Sequence, residues 1–203
     1  MMHDEMEKVF VLVGAGGHAS VVASTAATIG LKISLVALPD VLSEHAHLPS
    51  VKYLTDEELI SQKNNQEFRL LNGIGKTIKS DLRACAFQKF KSHGFEFQKL
   101  IHPFAYVDPS SHLFEGVQVL AGAIVQNDCS IGENSIVNTR ASVDHGCIIG
   151  SSSHIAPGAI ICGNVSIGDN CFIGAGAIVT EGTKIANGIV VKAGRVLISN
   201  DVE

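Results

Sequence analysis

The sequence has no Trp, aromatic residues make up only 5%, and charged residues only 17%, so large aromatic anchors and dense ion-pair networks are not what organises it. Cationic excess is missing too. Fifteen Lys and Arg are scattered among twenty Asp and Glu, giving a net charge of −5, which offers no electrostatic footprint for nucleic acid or an anionic membrane. No apolar run approaches the roughly 20 residues of a membrane-spanning helix, and the acidic start Met1-Met2-His3-Asp4-Glu5 does not read as a signal peptide. A cytoplasmic protein is expected, with small molecules or its own copies as partners. The five Cys (Cys85, Cys129, Cys147, Cys162, Cys171) are odd in number and lack C-x-x-C spacing, which disfavours a disulfide framework or zinc knuckle and favours reduced, packed thiols. At 46% hydrophobic over 203 residues, the chain has ample material for a core.

What is abundant is glycine, and it is unevenly spread. Residues 1–99 hold 11 of the 15 Lys and Arg and 7 of the 20 Gly, whereas residues 100–203 hold the other 13 Gly and little charge. This places a domain boundary near residues 99–101: an N-terminal domain of residues 1–99 and a C-terminal domain of residues 100–203.

The second half repeats with a period of six. From Ile101, each sixth residue through Val191 is Ile, Val or Leu, sixteen positions in all. Three places further on, eleven of sixteen residues are Gly or Asn, the types that tolerate positive φ. Each hexad is therefore a short strand and a corner. Ala105, Ala123, Ala141, Ala159 and Ala177, and likewise Gly132, Gly150 and Gly168, recur every 18 residues. Three hexads thus close one turn, and residues i and i+18 stack about 4.8 Å apart on parallel coils. The expected fold is a three-sided parallel β-helix of slightly more than five coils.

The first half reads as a small α/β unit. Val9 to Val13 is an apolar strand, Gly14-Ala15-Gly16-Gly17-His18-Ala19 a glycine turn, Ser20 to Ile29 a helix ended by Gly30, and Ile33 to Leu38 a second strand. Thr55 to Gln62 is a further helix with Thr55 and Glu58 at capping-box spacing, Phe68 to Leu71 a strand running into Asn72-Gly73-Ile74-Gly75-Lys76, and Ser80 to Ser92 a third helix. About four strands suggest half a dinucleotide-binding sheet. The G-x-G-x-x-A turn between strand and helix suits phosphate at a helix N-terminus, although any tight strand-to-helix turn uses glycine. Asp40, beyond the second strand, could meet a ribose or sugar hydroxyl.

Among nine His, those at 3, 45, 47 and 93 lie in polar stretches, and His102 and His112 fall in the first coils. His145 and His154 stand out. Asp144-His145-Gly146 puts a carboxylate and an imidazole on one corner, and the 18-residue rule stacks Gly163 over His145. A base beside a free N–H suits proton abstraction and oxyanion stabilisation.

These residues resemble the hexapeptide-repeat sugar O-acyltransferase and sialic-acid-synthesis acetyltransferase family, most closely its nucleotide-linked 4-amino-4,6-dideoxy-sugar N-acetyltransferases of bacterial surface-glycan biosynthesis. The resemblance rests on Val11-Leu12-Val13-Gly14-Ala15-Gly16-Gly17-His18, Asn72-Gly73-Ile74-Gly75, Ile101-His102-Pro103, Asn138-Thr139-Arg140-Ala141-Ser142-Val143-Asp144-His145, Ser153-His154 and Gly163-Asn164-Val165. It implies a left-handed β-helix and a half-Rossmann N-terminal domain. It further implies a homotrimer with active sites between subunits, acetyl-CoA lying along the β-helix, and no metal. His145 would be the general base, Asn138 its support, and Gly163 the N–H facing the thioester oxygen. His154, Ala175 and Ala193 would touch acetyl-CoA, while Gly16, Gly17, His18 and Gly75 would contact the nucleotide sugar.

Three features depart from the family pattern. An acidic residue usually follows the base, and here Gly146 does, leaving Asp144 or Asn127 to orient the ring. Leu38-Pro39 precede Asp40 where the family often has paired acids, and the Gly-Val-Pro-Ala tail is replaced by Ser199-Asn200-Asp201-Val202-Glu203. Competing readings are O-acetylation of a sialic-acid-like sugar, a non-catalytic nucleotide-sugar-binding trimer, and a zinc enzyme of the carbonic-anhydrase type, which would need three converging His.

Overall fold

The computed structural model describes residues 8–40, 51–62, 65–78 and 80–198. His3, His45, His47 and the last five residues lie outside these. The α/β unit contains β1 (Val9–Val13), α1 (Gly17–Thr28), β2 (Ile33–Leu38), β3 (Lys52–Thr55), α2 (Asp56–Ile60), β4 (Phe68–Asn72), α3 (Leu82–Ser92) and β5 (Glu96–Phe97). Its strands pair in parallel in the order β3-β2-β1-β4-β5. That is one strand more than the sequence suggests, because β3 runs straight into the α2 cap and β5 is two residues long. Alternation along β1 builds two cores. Val11 and Val13 pack with Leu59, Phe87 and Phe90, while Leu12 packs with Ala19, Val22 and Ala26 of α1. The capping box forms as its spacing predicts: Glu58 N–H donates to Thr55 Oγ1, and Thr55 N–H donates to the Glu58 carboxylate at 2.7 Å.

From Leu100–Ile101 to Val196–Leu197, two-residue strands recur every six residues and stack as three parallel sheets of six, six and five strands, the left-handed β-helix. Pairings such as Ile136↔His154 and Ser142↔Ile160 realise the 18-residue stacking. The sixfold aliphatic column is the core: from Leu113 onward it is buried, and it continues past Val191 to Leu197. Each sixth residue from Gly116 to Gly194 has φ between +54° and +73°, including Asp128, Arg140 and Ser152, which are neither Gly nor Asn.

Outward residues define the faces. The first face carries Leu100, Gln118, Ile136, His154, Phe172 and Val190; the second carries Tyr106, Ile124, Ser142, Ile160, Ile178 and Val196; the third carries His112, Ser130, Ile148, Ser166 and Lys184. The α/β unit covers the lower first face, where Leu100, Gln118 and Ile136 are fully buried. The second face leaves Tyr106, Ile124, Ile160 and Val196 exposed. Among the described residues, no helix is long and apolar enough to cross a membrane.

Candidate active site

The strand order changes direction between β1 and β4, so a crevice opens beyond their carboxyl ends, between the turn after Val13 and the turn after Asn72. The glycines there divide the work. Gly14 has φ +91°, and a Cβ on it would lie 2.9 Å from Ile74. A Cβ on Gly73 would lie 2.9 Å from Ala19, Leu12 and the Val13 carbonyl. These two let the turns pack. Gly16 and Gly17 meet nothing within 4 Å and are exposed, with Gly16 as the N-cap of α1 and no side chain capping the first turn. They leave α1 N–H groups open to an anion. His18 packs against Gly75, whose added Cβ would be 3.2 Å from the His18 Cβ. Asp40 lies exposed just beyond β2.

Beneath the crevice lies a buried polar joint to the β-helix. Arg83 is 1% exposed, and its Nε donates to the Asn134 carbonyl at 2.8 Å while its Nη1 donates to the carbonyls of Asn72 (3.1 Å) and Ile74 (2.7 Å). Its Nη2 has no partner among the described residues, and burial lowers its pKa to about 9. Asn72 Nδ2 donates to Asn134 Oδ1, and Asn134 Nδ2 donates to Ser152 Oγ. Burial, then the Arg83 charge, lowers the His18 pKa to about 4.

His154 belongs to this joint. It is 7% exposed, its Nδ1 lies 3.2 Å from the Lys76 carbonyl, its Nε2 lies 2.9 Å from Asn138 Nδ2, and it meets Phe172 edge-on. A carbonyl only accepts, so Nδ1 carries the proton and Nε2 accepts from Asn138. Both ring nitrogens are thus engaged, and burial above all lowers the His154 pKa to about 4. Asn138 Oδ1 accepts from the Thr139 N–H at 2.7 Å. Within one subunit, therefore, Asn138 supports His154 and not His145, from which a whole face separates it.

His145 and Gly163 do meet, on the corner between the second and third faces. Asn164 N–H donates to the His145 carbonyl at 2.8 Å, and a Cβ on Gly163 would lie 2.5 Å from His145 Cε1 and 2.6 Å from Nε2. The imidazole occupies the space that glycine leaves. Some corners cap their first N–H, either from the preceding residue, as Asn138 Oδ1 accepts from Thr139 and Asp144 Oδ1 accepts from the His145 N–H at 2.8 Å, or from the next coil, as Asp169 Oδ1 accepts from the Ser151 N–H and Asn187 Oδ1 from the Asp169 N–H. Gly163 follows Cys162, and its N–H has no acceptor among the described residues. Asp144 is spent on the backbone, and Asn127 Nδ2 donates to Asp128, so neither bonds the His145 ring. Gly146 has φ +66°, and a Cβ there would sit 2.5 Å from Asn164 Oδ1, so Asn164 fills the room an acidic side chain would need.

Ala175 and Ala193 are exposed on the corner between the first and second faces, stacked through the Gly194 N–H to the Ala175 carbonyl at 2.9 Å. They lie across the second face from His145 and Gly163, while the crevice loops pack on the first face through His18–Gln118 and Lys76–His154. A concavity of about 490 Å³ between Lys76, Thr77, Asp81 and Phe172, Asn187, Val190 also lies away from His145. Of the other histidines, His102 Nδ1 accepts from the Phe104 N–H and His112 packs edge-on against Phe114. Among the described residues, no three His, Cys, Asp or Glu gather as a metal site.

Residues 146–181 match the family described as bacterial transferase hexapeptide (six repeats), and residues 164–199 match the hexapeptide repeat of succinyl-transferase. The acetyltransferase domain of PglB from Neisseria gonorrhoeae FA1090 is 30% identical with a TM-score of 0.84, over 97% of this chain and 93% of that one. PerB from Caulobacter crescentus, solved in complex with CoA and GDP-perosamine, is 34% identical with a TM-score of 0.82, over 94% and 90% of the two chains. The chain belongs to the hexapeptide-repeat sugar acetyltransferases. It is an acyltransferase. The PglB domain has also been solved with acetyl coenzyme A, in a structure 29% identical with a TM-score of 0.81, over 95% and 93% of the chains. A form of the Caulobacter enzyme titled GDP-perosamine N-acetyl transferase, with one His replaced by Ala, is 32% identical with a TM-score of 0.82, over 94% and 90% of the chains. Among curated proteins, none matches the sequence.

Gln118, Asn134 and Arg83 are not singled out by sequence reasoning, and Asn72 enters it only within the Asn72-Gly73-Ile74-Gly75 motif. Of the first three, Gln118 alone carries a signal, as an amide in an outward column of largely apolar residues.

Proposed function

We propose that this enzyme transfers the acetyl group of acetyl-CoA to the amine of a nucleotide-activated amino-deoxy sugar for surface-glycan biosynthesis, as a cytoplasmic homotrimer. The observation that carries the reading is the His145 imidazole resting on Gly163, whose N–H has no partner among the described residues. In the proposed step the sugar amine attacks the thioester carbonyl directly. His145 takes the amine proton, the Gly163 N–H receives the developing oxyanion, and the sulfur leaves with the electron pair of the broken C–S bond. The glycine turn, the open α1 N-terminus and the Arg83 charge, which has no carboxylate partner among the described residues, favour an anionic ligand such as a diphosphate in the crevice. The structures of the relatives with CoA and GDP-perosamine support that assignment.

A trimer reconciles the two corners. The exposed apolar second face, with Tyr106, Ile124, Ile160 and Val196, suits burial against a second copy. That contact would bring the Ala175 and Ala193 corner of one subunit toward the His145 corner of the next.

The test is acetyl-CoA turnover with a panel of GDP- and UDP-linked amino and hydroxy sugars, for the wild type and His145→Ala. Amine acceptors are expected to react, and H145A should lose about 10²-fold or more in kcat with its KM for acetyl-CoA little changed. Turnover only with hydroxyl acceptors, or H145A retaining more than about a tenth of the rate, would overturn the reading.

A further inference from the structure

Gln118 is wholly buried at a point on the first face covered by the α/β unit. Its Nε2 donates to the Asn72 carbonyl at 2.8 Å, and its Oε1 lies 2.8 Å from His18 Nε2. Asn72 ends β4, and His18 sits in the first turn of α1 just after β1, so this one side chain ties both walls of the crevice to the β-helix.

The direction of the amide follows from its partners. A backbone carbonyl can only accept, so the NH₂ faces Asn72 and the oxygen faces His18, which must then donate from Nε2. His18 is held neutral by its burial and by Arg83, so only one ring nitrogen carries a proton. Nδ1 is left as a lone pair, with no partner among the described residues. The His18 Cβ and Cγ pack against Gly75, which leaves Nδ1 as the uncommitted polar atom of the ring.

We propose that Gln118 is a positioning residue that fixes His18 as the Nε2–H tautomer, so that His18 Nδ1 accepts a hydrogen bond from a hydroxyl or amine N–H of the bound sugar. Had the ring been turned to the other tautomer, the same nitrogen would be a donor and would select a phosphate or carboxylate oxygen. The inference deepens the proposed function and rests on a nucleotide sugar occupying the crevice.

The test pairs a ligand-free measurement with kinetics. In the free trimer labelled with ¹⁵N-histidine, ring signals assigned by their loss in His18→Gln should show a protonated Nε2 and an unprotonated Nδ1 from pH 6 to 8. In Gln118→Met the two tautomers should mix. The KM of Q118M for GDP- and UDP-linked 4-amino-4,6-dideoxy sugars should rise about tenfold, with the KM for acetyl-CoA unchanged. A protonated Nδ1 in the wild type would overturn the proposal whether or not Q118M folds, as would an unchanged nucleotide-sugar KM in a folded Q118M. If the wild type uses no nucleotide sugar, the functional reading fails and the ligand half of this inference falls with it, while the ring signals still decide what Gln118 does.

Discussion

The Gly163 position shows how little room the site has. Its backbone is not left-handed, so an alanine there meets no conformational penalty, but the new Cβ would fall 2.5 Å from the His145 ring. Gly163→Ala should therefore lower kcat by about 10²-fold, through displacement of the ring, while the melting temperature stays near that of the wild type. Equal loss in both would instead mark Gly163 as a folding residue. The pairing of His145 with Gly163 is legible in the sequence because the 18-residue period alone sets it. The bonds of Gln118, Arg83 and Asn72 are not legible, because they join the two halves across separations of 100, 51 and 46 residues that no period relates. Asn138 is a mixed case: its place on the coil follows from the repeat, whereas its bond to His154 depends on the first face being roofed by the α/β unit.

At the level of elements, regularity decides what a sequence reveals. The aliphatic column and the left-handed corners are written in every hexad, and corners at Asp128, Arg140 and Ser152 adopt positive φ because the neighbouring coils impose it over local preference. Phe104 and Ser110, in the same column, are not among the positive-φ residues. Single elements are less legible. Helix α1 begins at Gly17, earlier than its first good helix former, because Gly16 serves as N-cap and an open N-terminus is kept at the crevice. The two-residue β5 is a strand only because β4 lies beside it.

For the whole molecule, the buried joint links stability to pH. His18 and His154 have pKa values near 4, against an ordinary 6.5, so the unfolded chain binds more protons between those values. Their contribution is fully present above about pH 6.5 and is lost as pH falls through 4, on the order of 3 kcal/mol for each ring. Denaturant midpoints measured from pH 7 to pH 4 should fall steeply, and His154→Gln should flatten part of that fall; identical slopes would show that the joint does not titrate. The separation of the His145 corner from the crevice loops, which pack on the first face, bears on genetics as well as on chemistry. If each reaction chamber draws its halves from adjacent copies, two inactive proteins can complement one another. Refolding H145A together with Gly17→Asp, which sets a carboxylate at the mouth of α1, should revive roughly a quarter of the native rate by random assortment in a closed ring. A co-refolded mixture as silent as its parents would mean that every chain works alone.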